Sequence, residues 1–334
     1  MLIMKQFLHC GLITFFVLVC TYPANARTYP PTTAGLRQLV ADDAAILPAP
    51  YAAKLRKEET DWEKGVGVTC RTYNPPLGQV CSPDAREMIN TIQSHIVRDN
   101  SYVFYPDEWS SIFPVTTMGQ VDLNILTPVI LQQNIPQIVS PLTTQAIAFN
   151  KAVQDFALKQ WNAQGGPPRA HPRQDKSEDL ALDYQIVPDP LSGVLSVSFQ
   201  MDWDTKMGAH GNFLIADFNW NLNAGRELKA DDIFASKKPW EKMLDATADA
   251  SFAKISGSAF PPSDEDNIYD FSLPITEIHQ GYNDPHEWRV SATGLTIDTQ
   301  EGEICGYACG LPNAFISWTI LRPYLKIDGL VHDP

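Results

Sequence analysis

Three stretches between residues 180 and 220 alternate apolar and polar side chains with the period of a β-strand, and they commit the chain to a sheet with two unlike faces. Leu180-Ala181-Leu182-Asp183-Tyr184-Gln185-Ile186 is the first, and Leu195-Ser196-Val197-Ser198-Phe199 the second. The third places Leu214, Ala216, Phe218 and Trp220 on one side and ends in the turn Asn223-Ala224-Gly225. Further strands are predicted at Trp288–Val290, Leu295–Ile297 and Phe315–Ile320. Helical spacing is kept apart from these runs. Tyr51, Leu55, Glu59 and Trp62 share a face, as do Phe149, Val153, Phe156 and Trp161, and then Trp240, Leu244, Ala248 and Phe252. Strands and helices segregated in this way predict an α+β fold with a largely antiparallel sheet.

A short apolar run opens the chain. Lys5 precedes Leu12, Ile13, Phe15, Phe16, Val17, Leu18 and Val19; Pro23 follows, then the small-x-small sequence Ala24-Asn25-Ala26. The run is too short to span a bilayer, so 1–26 reads as a signal peptide cleaved after Ala26 rather than as an anchor. Lipidation at Cys20 is disfavoured because Val19, not a small residue, precedes it. No later segment approaches membrane length, and the expected product is periplasmic or secreted, without a transmembrane segment.

Export gives the remaining cysteines a meaning. Cys70, Cys81, Cys305 and Cys309 are an even set in an oxidising compartment, which points to disulfides. Three connectivities are open, and the two local pairs, Cys70–Cys81 and Cys305–Cys309, are preferred. Their spacing fits a zinc tetrahedron poorly, and neither a metal nor a cofactor is implied. The formal net charge is −14, and loss of Lys5 makes the product one unit more acidic. That balance argues against nucleic acid and anionic membranes and suits a basic partner, although acidity also simply keeps an exported protein soluble.

The N-terminal part reads as a helix–loop–helix unit. Residues 27–50, rich in Pro, Thr and Ala, form a lead-in. A helix through Trp62 is stopped by Gly65 and Gly67, and Cys70 to Cys81 encloses the turn-rich Asn74-Pro75-Pro76-Leu77-Gly78. Ser82 and Pro83 then start a helix carrying Met88, Ile89, Ile92 and Ile96. Residues 100–140 contain an aromatic cluster from Tyr102 to Phe113, and Val121–Leu131 reads as one strand or two. The domain boundary is placed in this stretch, giving a helical unit at 51–130 and an α+β domain at 131–334.

Catalytic motifs are scarce. No Gly-x-Ser-x-Gly elbow, His-Glu-x-x-His or phosphate-cradling glycine loop is present. His279, Asp284, His286 and Glu287 have the residue types for metal binding or proton transfer, but Gly281 and Pro285 place them in a loop where a solvated turn is the default. His210, in Gly208-Ala209-His210-Gly211, pins a turn or faces a partner. Asp231 and Asp232 read as a helix start, and Trp203, Trp220, Trp288 and Trp318 as core.

Two resemblances follow from these residues. Trp203 to Phe234 carries Gly-Ala-His-Gly, a strand, an Asn-x-x-x-Gly turn, Leu228 and Asp231-Asp232-Ile233-Phe234. Upstream stands Phe149-Asn150; downstream come Trp288–Leu295, then Gly306-Tyr307-Ala308-Cys309-Gly310 and Ile316-Ser317-Trp318. In this order they resemble the RsiV-type extracytoplasmic domain over about residues 136–330. Met207 stands at a usual glycine, Asn221 at a usual aspartate, and Gly306 at a usual proline. That family includes a membrane-bound anti-sigma factor that senses lysozyme and an accessory domain of a cell-wall polysaccharide deacetylase. More weakly, Leu55 to Trp62, Cys70, Cys81, Arg86 and Ile89 are similar to the LprI-type lysozyme inhibitor domain over about 45–98, with Val68-Thr69 in place of the usual Arg-Asp. Together they imply a non-catalytic binding protein whose partner is lysozyme or another muramidase. Asn74, Leu77, Gly208, Ala209, His210, Gly211 and Tyr307 are the candidate contacts. An envelope protein that binds peptidoglycan is the alternative, and a hydrolase built on His279 and His286 is the second.

Overall fold

The structure is a computed structural model that describes residues 28–65, 85–99, 101–118, 124–171, 178–187, 189–205, 212–236, 239–259, 282–299 and 312–331. The segment 1–26 expected as a leader, the four later cysteines, Asn74, Leu77, Gly208–Gly211, His279 and Tyr307 lie outside the described residues. The fold is α+β. The chain divides into two compact units, Met1–Ile186 with Met201–Gly211, and Val187–Gln200 with Asn212–Pro334. The boundary expected at 130/131 falls inside a strand of the first unit.

In the first unit, helix α1 (Thr33–Ala44) occupies the expected lead-in. Thr32 caps it by accepting from the Gly35 N–H at 3.2 Å, and Leu36, Leu39 and Val40 are buried at helical spacing. A Pro/Thr/Ala composition conceals this helix because its apolar stripe spans barely two turns. Helices α2 (Ala49–Gly65) and α3 (Ala85–His95) follow as predicted, burying Leu55, Trp62, Met88, Ile89 and Ile92.

Strands β1 (Arg98–Asp99), β2 (Tyr102–Met118), β3 (Asn124–Ser140) and β4 (Glu178–Ile186) are neighbours in that order. Most of the stretch from 100 to 140, ambiguous in sequence, is thus one long antiparallel hairpin, with Pro106 opposite Pro136 and Pro114 opposite Pro128. Proline in a strand centre normally argues against a strand. Here the prolines face each other, so each rung lacks both donors together.

Helix α4 (Thr144–Ala163) connects β3 to β4, and these two strands pair in parallel, an exception to the antiparallel expectation that needs such a crossover. Helices α1–α3 pack on Val103, Tyr105 and Val139, whereas the intervening Phe104 meets Phe149 of α4 edge-on, with ring centroids 5.8 Å apart. Alternation along β2 therefore sets α4 on the opposite face. At the end of α4, Gly165 takes a positive φ of 77°, and the Trp161 indole N–H donates to the Pro167 carbonyl at 2.9 Å.

Asn150 explains the Phe-Asn pair of the sequence motif. Its side chain accepts from the Ile138 N–H at 2.7 Å and donates to the Ile138 carbonyl at 3.0 Å, binding α4 to β3 by both groups of one residue. Asn150→Leu is expected to leave both groups unpaired and cost about 2 kcal/mol, read from urea unfolding. An unchanged midpoint would show that water replaces the amide.

In the second unit, β5 (Val194–Thr205, its first seven residues belonging here), β6 (Asn212–Asn221) and β7 (Arg226–Glu227) are neighbours. A short helix α5 (Ala230–Ile233) leads to α6 (Trp240–Ala259). Strands β8 (Trp288–Val290), β9 (Gly294–Asp298) and β10 (Asn313–Ser317) form a three-stranded antiparallel sheet. The predicted stripe of α6, Trp240, Leu244, Ala248 and Phe252, is buried in one core with Trp288, Val290, Leu295, Ile297, Ala314 and Ile316. Phe234 stacks on Trp240 at 4.5 Å, and Trp288 stands edge-on to both. The last predicted strand is shorter than expected: Trp318–Leu321 is helix α7, which turns Trp318 inward so that its indole N–H donates to the Ser291 carbonyl. Trp220, Trp288 and Trp318 are core as expected, and Trp203 is half-buried.

Candidate functional site

Amphipathic α2 exposes Lys54 and buries Glu58 one turn later. The sequence pattern puts Glu59 on the inner face and Glu58 off it. The structure reverses them: Glu58 is 5% exposed and lies between Leu55 and Trp62 on the buried stripe. Both registers satisfy helical spacing, which is why a charged neighbour pair leaves the choice open.

What receives Glu58 is strand β2. Glu108, whose side chain is 5% exposed, accepts from the Lys54 ammonium at 3.2 Å, and that ammonium is 3.9 Å from Glu58. It also stands 5.0 Å above the centre of the Tyr105 ring, within cation–π range. Tyr51, partly exposed, packs on Tyr105 with ring centroids 5.2 Å apart. The Tyr105 hydroxyl is buried beside the Glu58 carboxyl, and the two hydrogen-bond to each other. Two carboxyls and the Tyr105 ring thus face one ammonium, with Tyr51 packed on that ring.

Electrostatics follow from that count. Burial first, and then the nearby Glu108 charge, push the Glu58 carboxyl up to about 7, with Lys54 opposing. Burial also raises Glu108, against the pull of Lys54. Burial and the two glutamates hold the Tyr105 phenol neutral, far above its ordinary range. The cluster therefore holds its two carboxyls less readily ionised than free ones, with Lys54 as their counter-ion.

Beyond it, still in the first unit, His95 ends α3 and meets Asp183 of β4 at 2.7 Å. Burial disfavours the imidazolium, but the Asp183 carboxylate outweighs burial and holds His95 above its ordinary value. Asp183 is held low by His95 and by donors from Asn134 and the Tyr184 N–H, against its own desolvation. Tyr184 stacks on the imidazole at 4.9 Å, and its hydroxyl donates to the His95 carbonyl at 2.9 Å. His95 Nδ1 is buried without a hydrogen-bond partner. No motif in the sequence singles out any of these residues; their signal lies in contacts between distant segments.

The second unit buries a different polar group. On β8 Arg289 grips Asp298 of β9 with two N–H groups, NH2 to Oδ1 at 2.6 Å and Nε to Oδ2. Asp217 of β6 is fully buried beside them. Burial, then the Asp298 charge, drives Asp217 well above its ordinary value and favours its protonated form. Two residues on, Asn219 accepts from Ser196 at 2.5 Å and donates to the Pro285 and Trp288 carbonyls at 2.8 and 2.7 Å. These groups brace strands.

Asp284 and His286 of the catalytic-looking cluster lie on an open turn. Asp284 caps Pro285–Glu287 by accepting from the His286 N–H at 2.9 Å, and the exposed His286 ring stands 3.4 Å from Glu227. Among the described residues no group of three or more His, Cys, Asp or Glu is arranged to hold a metal ion. Asp232 accepts from the Lys229 N–H and two Arg226 N–H groups, and so fixes the start of α5. No helix among the described residues is long and apolar enough to cross a membrane.

No family model matches the chain, and no curated protein does. Solved structures do match. A DUF3298 family protein from Pseudomonas aeruginosa aligns over 71% of this chain and all of its own, at 13% identity and a TM-score of 0.47. A DUF3298 member from Bacteroides fragilis aligns over 70% of this chain and 96% of its own, also at 13% identity, with a TM-score of 0.35. The structural neighbours are DUF3298 family proteins.

Proposed function

We propose that this chain is an exported binding protein that recognises a basic muramidase of the lysozyme type, with no reaction of its own. The observation that carries the reading is the order of motifs along residues 136–330, from Phe149-Asn150 through Gly208-Ala209-His210-Gly211 to Gly306–Trp318, which resembles a domain family that includes a lysozyme-sensing anti-sigma factor. The local structure is compatible with that order: β6, a turn closed by Gly225 at a φ of 63°, and α5 follow one another as the motif requires. The leader at 1–26 puts such a protein in the envelope or outside it, where muramidases act. A formal charge of −14 favours encounter with a basic partner.

Titration against hen-type, goose-type and invertebrate-type lysozymes tests it. The expected result is a stoichiometric fall in lytic rate with at least one class, and an affinity that drops as salt is raised toward the point where the Debye length shrinks to about 3 Å. Unchanged lysis together with no binding in all three classes sinks the reading. Pelleting of the protein with purified sacculi instead would move the partner to peptidoglycan.

A further inference from the structure

A proline pair delivers one arginine to the β2–β3 hairpin of the first unit. The segment that leaves α4 runs Gly165-Gly166-Pro167-Pro168-Arg169. Trp161 holds it: the indole N–H donates to the Pro167 carbonyl, and the Trp161 carbonyl accepts from the Gly166 N–H at 2.9 Å. Gly166 lies so close to the indole that an added Cβ would stand 2.3 Å from it. The consecutive prolines fix φ at both of their positions. The His171 N–H then closes a turn by donating to the Pro168 carbonyl at 2.9 Å. Arg169 is therefore presented from a braced segment.

Its guanidinium is held by two of its three nitrogens. Nη1 donates to Asp107 of β2 at 2.7 Å, and Nε donates to the side-chain oxygen of Gln133 of β3 at 2.6 Å. The third nitrogen, Nη2, is buried without a hydrogen-bond partner among the described residues, and so is the Gln133 amide nitrogen. Turning the carboxamide over is no remedy, because the Arg169 Nε–H would then meet a second donor. Nor can the two nitrogens pair with each other, since both only donate. Each lies two covalent bonds from one end of the Nε···Oε1 hydrogen bond, so they are near neighbours. Gln133 is fully buried, between Leu131 and Ile135 at alternate positions of β3 that are equally buried. Packing alone would be met by a third apolar residue there. Buried donors are almost always paired, so two that stand side by side point to an acceptor from outside the chain.

We propose that Arg169 and Gln133 form a binding site for a carboxylate, which places one oxygen on Arg169 Nη2 and the other on the Gln133 amide nitrogen. A planar anion with two oxygens matches two neighbouring donors, one of them charged. Asp107 takes the opposite end of the guanidinium and fixes its orientation, so it is a positioning residue. Its charge also disfavours a dianion such as phosphate, leaving a singly charged ligand as the better match. The Arg169 and Asp107 side chains are 27% and 36% exposed, so the donors lie within one side chain of the surface. The site stands apart from the muramidase reading and survives its failure.

Sodium acetate is the probe, with acetamide as its uncharged counterpart and sodium chloride to match ionic strength. The melting temperature of the wild-type chain is expected to rise saturably with acetate and with neither control. Gln133→Glu keeps an acceptor for Arg169 Nε but puts a carboxylate oxygen where the donor stood, so it should abolish the response. Arg169→Lys keeps the charge and loses Nη2; it should need about tenfold more acetate, the loss of one charge-assisted hydrogen bond. Both variants are checked for a cooperative melt, and either one suffices. A wild-type response to acetate no larger than to chloride, the result expected if water alone meets the two donors, overturns the site. So does an undiminished response in a folded variant. The Gln133 side-chain amide signal, assigned by its loss in Gln133→Glu, gives a second readout in proton–nitrogen correlation spectra. It is expected to shift progressively as acetate is added, and a fixed signal overturns the site. Triglycine and triglycinamide separate the sources of the carboxylate. Tighter binding of triglycine than of acetate, with none of the amide, assigns the site to a peptide carboxylate; weaker binding of triglycine assigns it to a small free acid.

Discussion

Arg289→Met is expected to lower the unfolding free energy by about 3–5 kcal/mol. Arg289 and Asp298 form a two-pronged ion pair on neighbouring strands, with Asp217 buried beside it. Removing the guanidinium leaves Asp298, 4% exposed, as an unpaired charge next to a second carboxyl. Methionine preserves much of the packing volume, so the loss reports the charge rather than a cavity. Asp217→Asn provides the contrast. Burial and Asp298 favour the protonated form of Asp217, so an amide in its place keeps a donor toward Asp298, and the variant is expected to lie within about 1 kcal/mol of wild type. Urea unfolding at pH 7 of both variants separates the two effects. Equal losses would mean that Asp217 is ionised in the folded protein and that the triad is balanced differently.

Much of the fold is legible in the sequence because burial follows period where one face meets water. The α6 stripe can be read residue by residue, since Trp240, Leu244, Ala248 and Phe252 all enter one core and the remaining face does not. Strand β6 shows the limit of that logic. Alternation marks Phe218 and Trp220 as inward and leaves Asp217 and Asn219 to solvent, but β6 is covered on both sides and all four are buried. A polar residue on a doubly covered strand meets groups far along the chain: the charges of Asp298 and Arg289 for Asp217, and the Trp288 carbonyl for Asn219. No local pattern announces them. The β2–β3 hairpin is hidden for a different reason, its prolines, whose cost is removed only by a register the sequence does not display.

The candidate site is least legible. Its residues come from α2 and β2, and its decisive member differs from the expected one by a single helical position, Glu58 rather than Glu59. The motif residues that stand out in the sequence, Asn74, Leu77, Gly208–Gly211 and Tyr307, belong to turn-rich segments whose glycines and polar groups draw attention. A buried carboxyl on an amphipathic helix carries no such mark. It is recognisable only when a second element brings another carboxyl to the same lysine.

Glu58→Gln is expected to remove a pH dependence that the wild-type chain carries between about pH 5 and 8. The folded-state value of Glu58 lies near 7, above the 4.5 of an unperturbed glutamate, because burial and Glu108 oppose its ionisation. Below the unfolded value both states are protonated and the contribution to stability is complete. As pH rises, the unfolded chain ionises first and is favoured, and the contribution is lost through the folded value. A gap of this size corresponds to about 3 kcal/mol. His95, also raised in the folded state, loses stability in the same direction, so the wild-type slope alone does not isolate Glu58. The difference between wild type and variant does. Glutamine keeps the shape and adds a donor for the Glu108 side of the cluster, and it stays neutral at every pH. The variant should therefore match wild type near pH 5 and exceed it by up to about 3 kcal/mol at pH 8, in urea unfolding at fixed ionic strength. Parallel stability curves across that range would show that Glu58 is ionised in the folded protein, with Lys54 shared evenly between the two carboxylates.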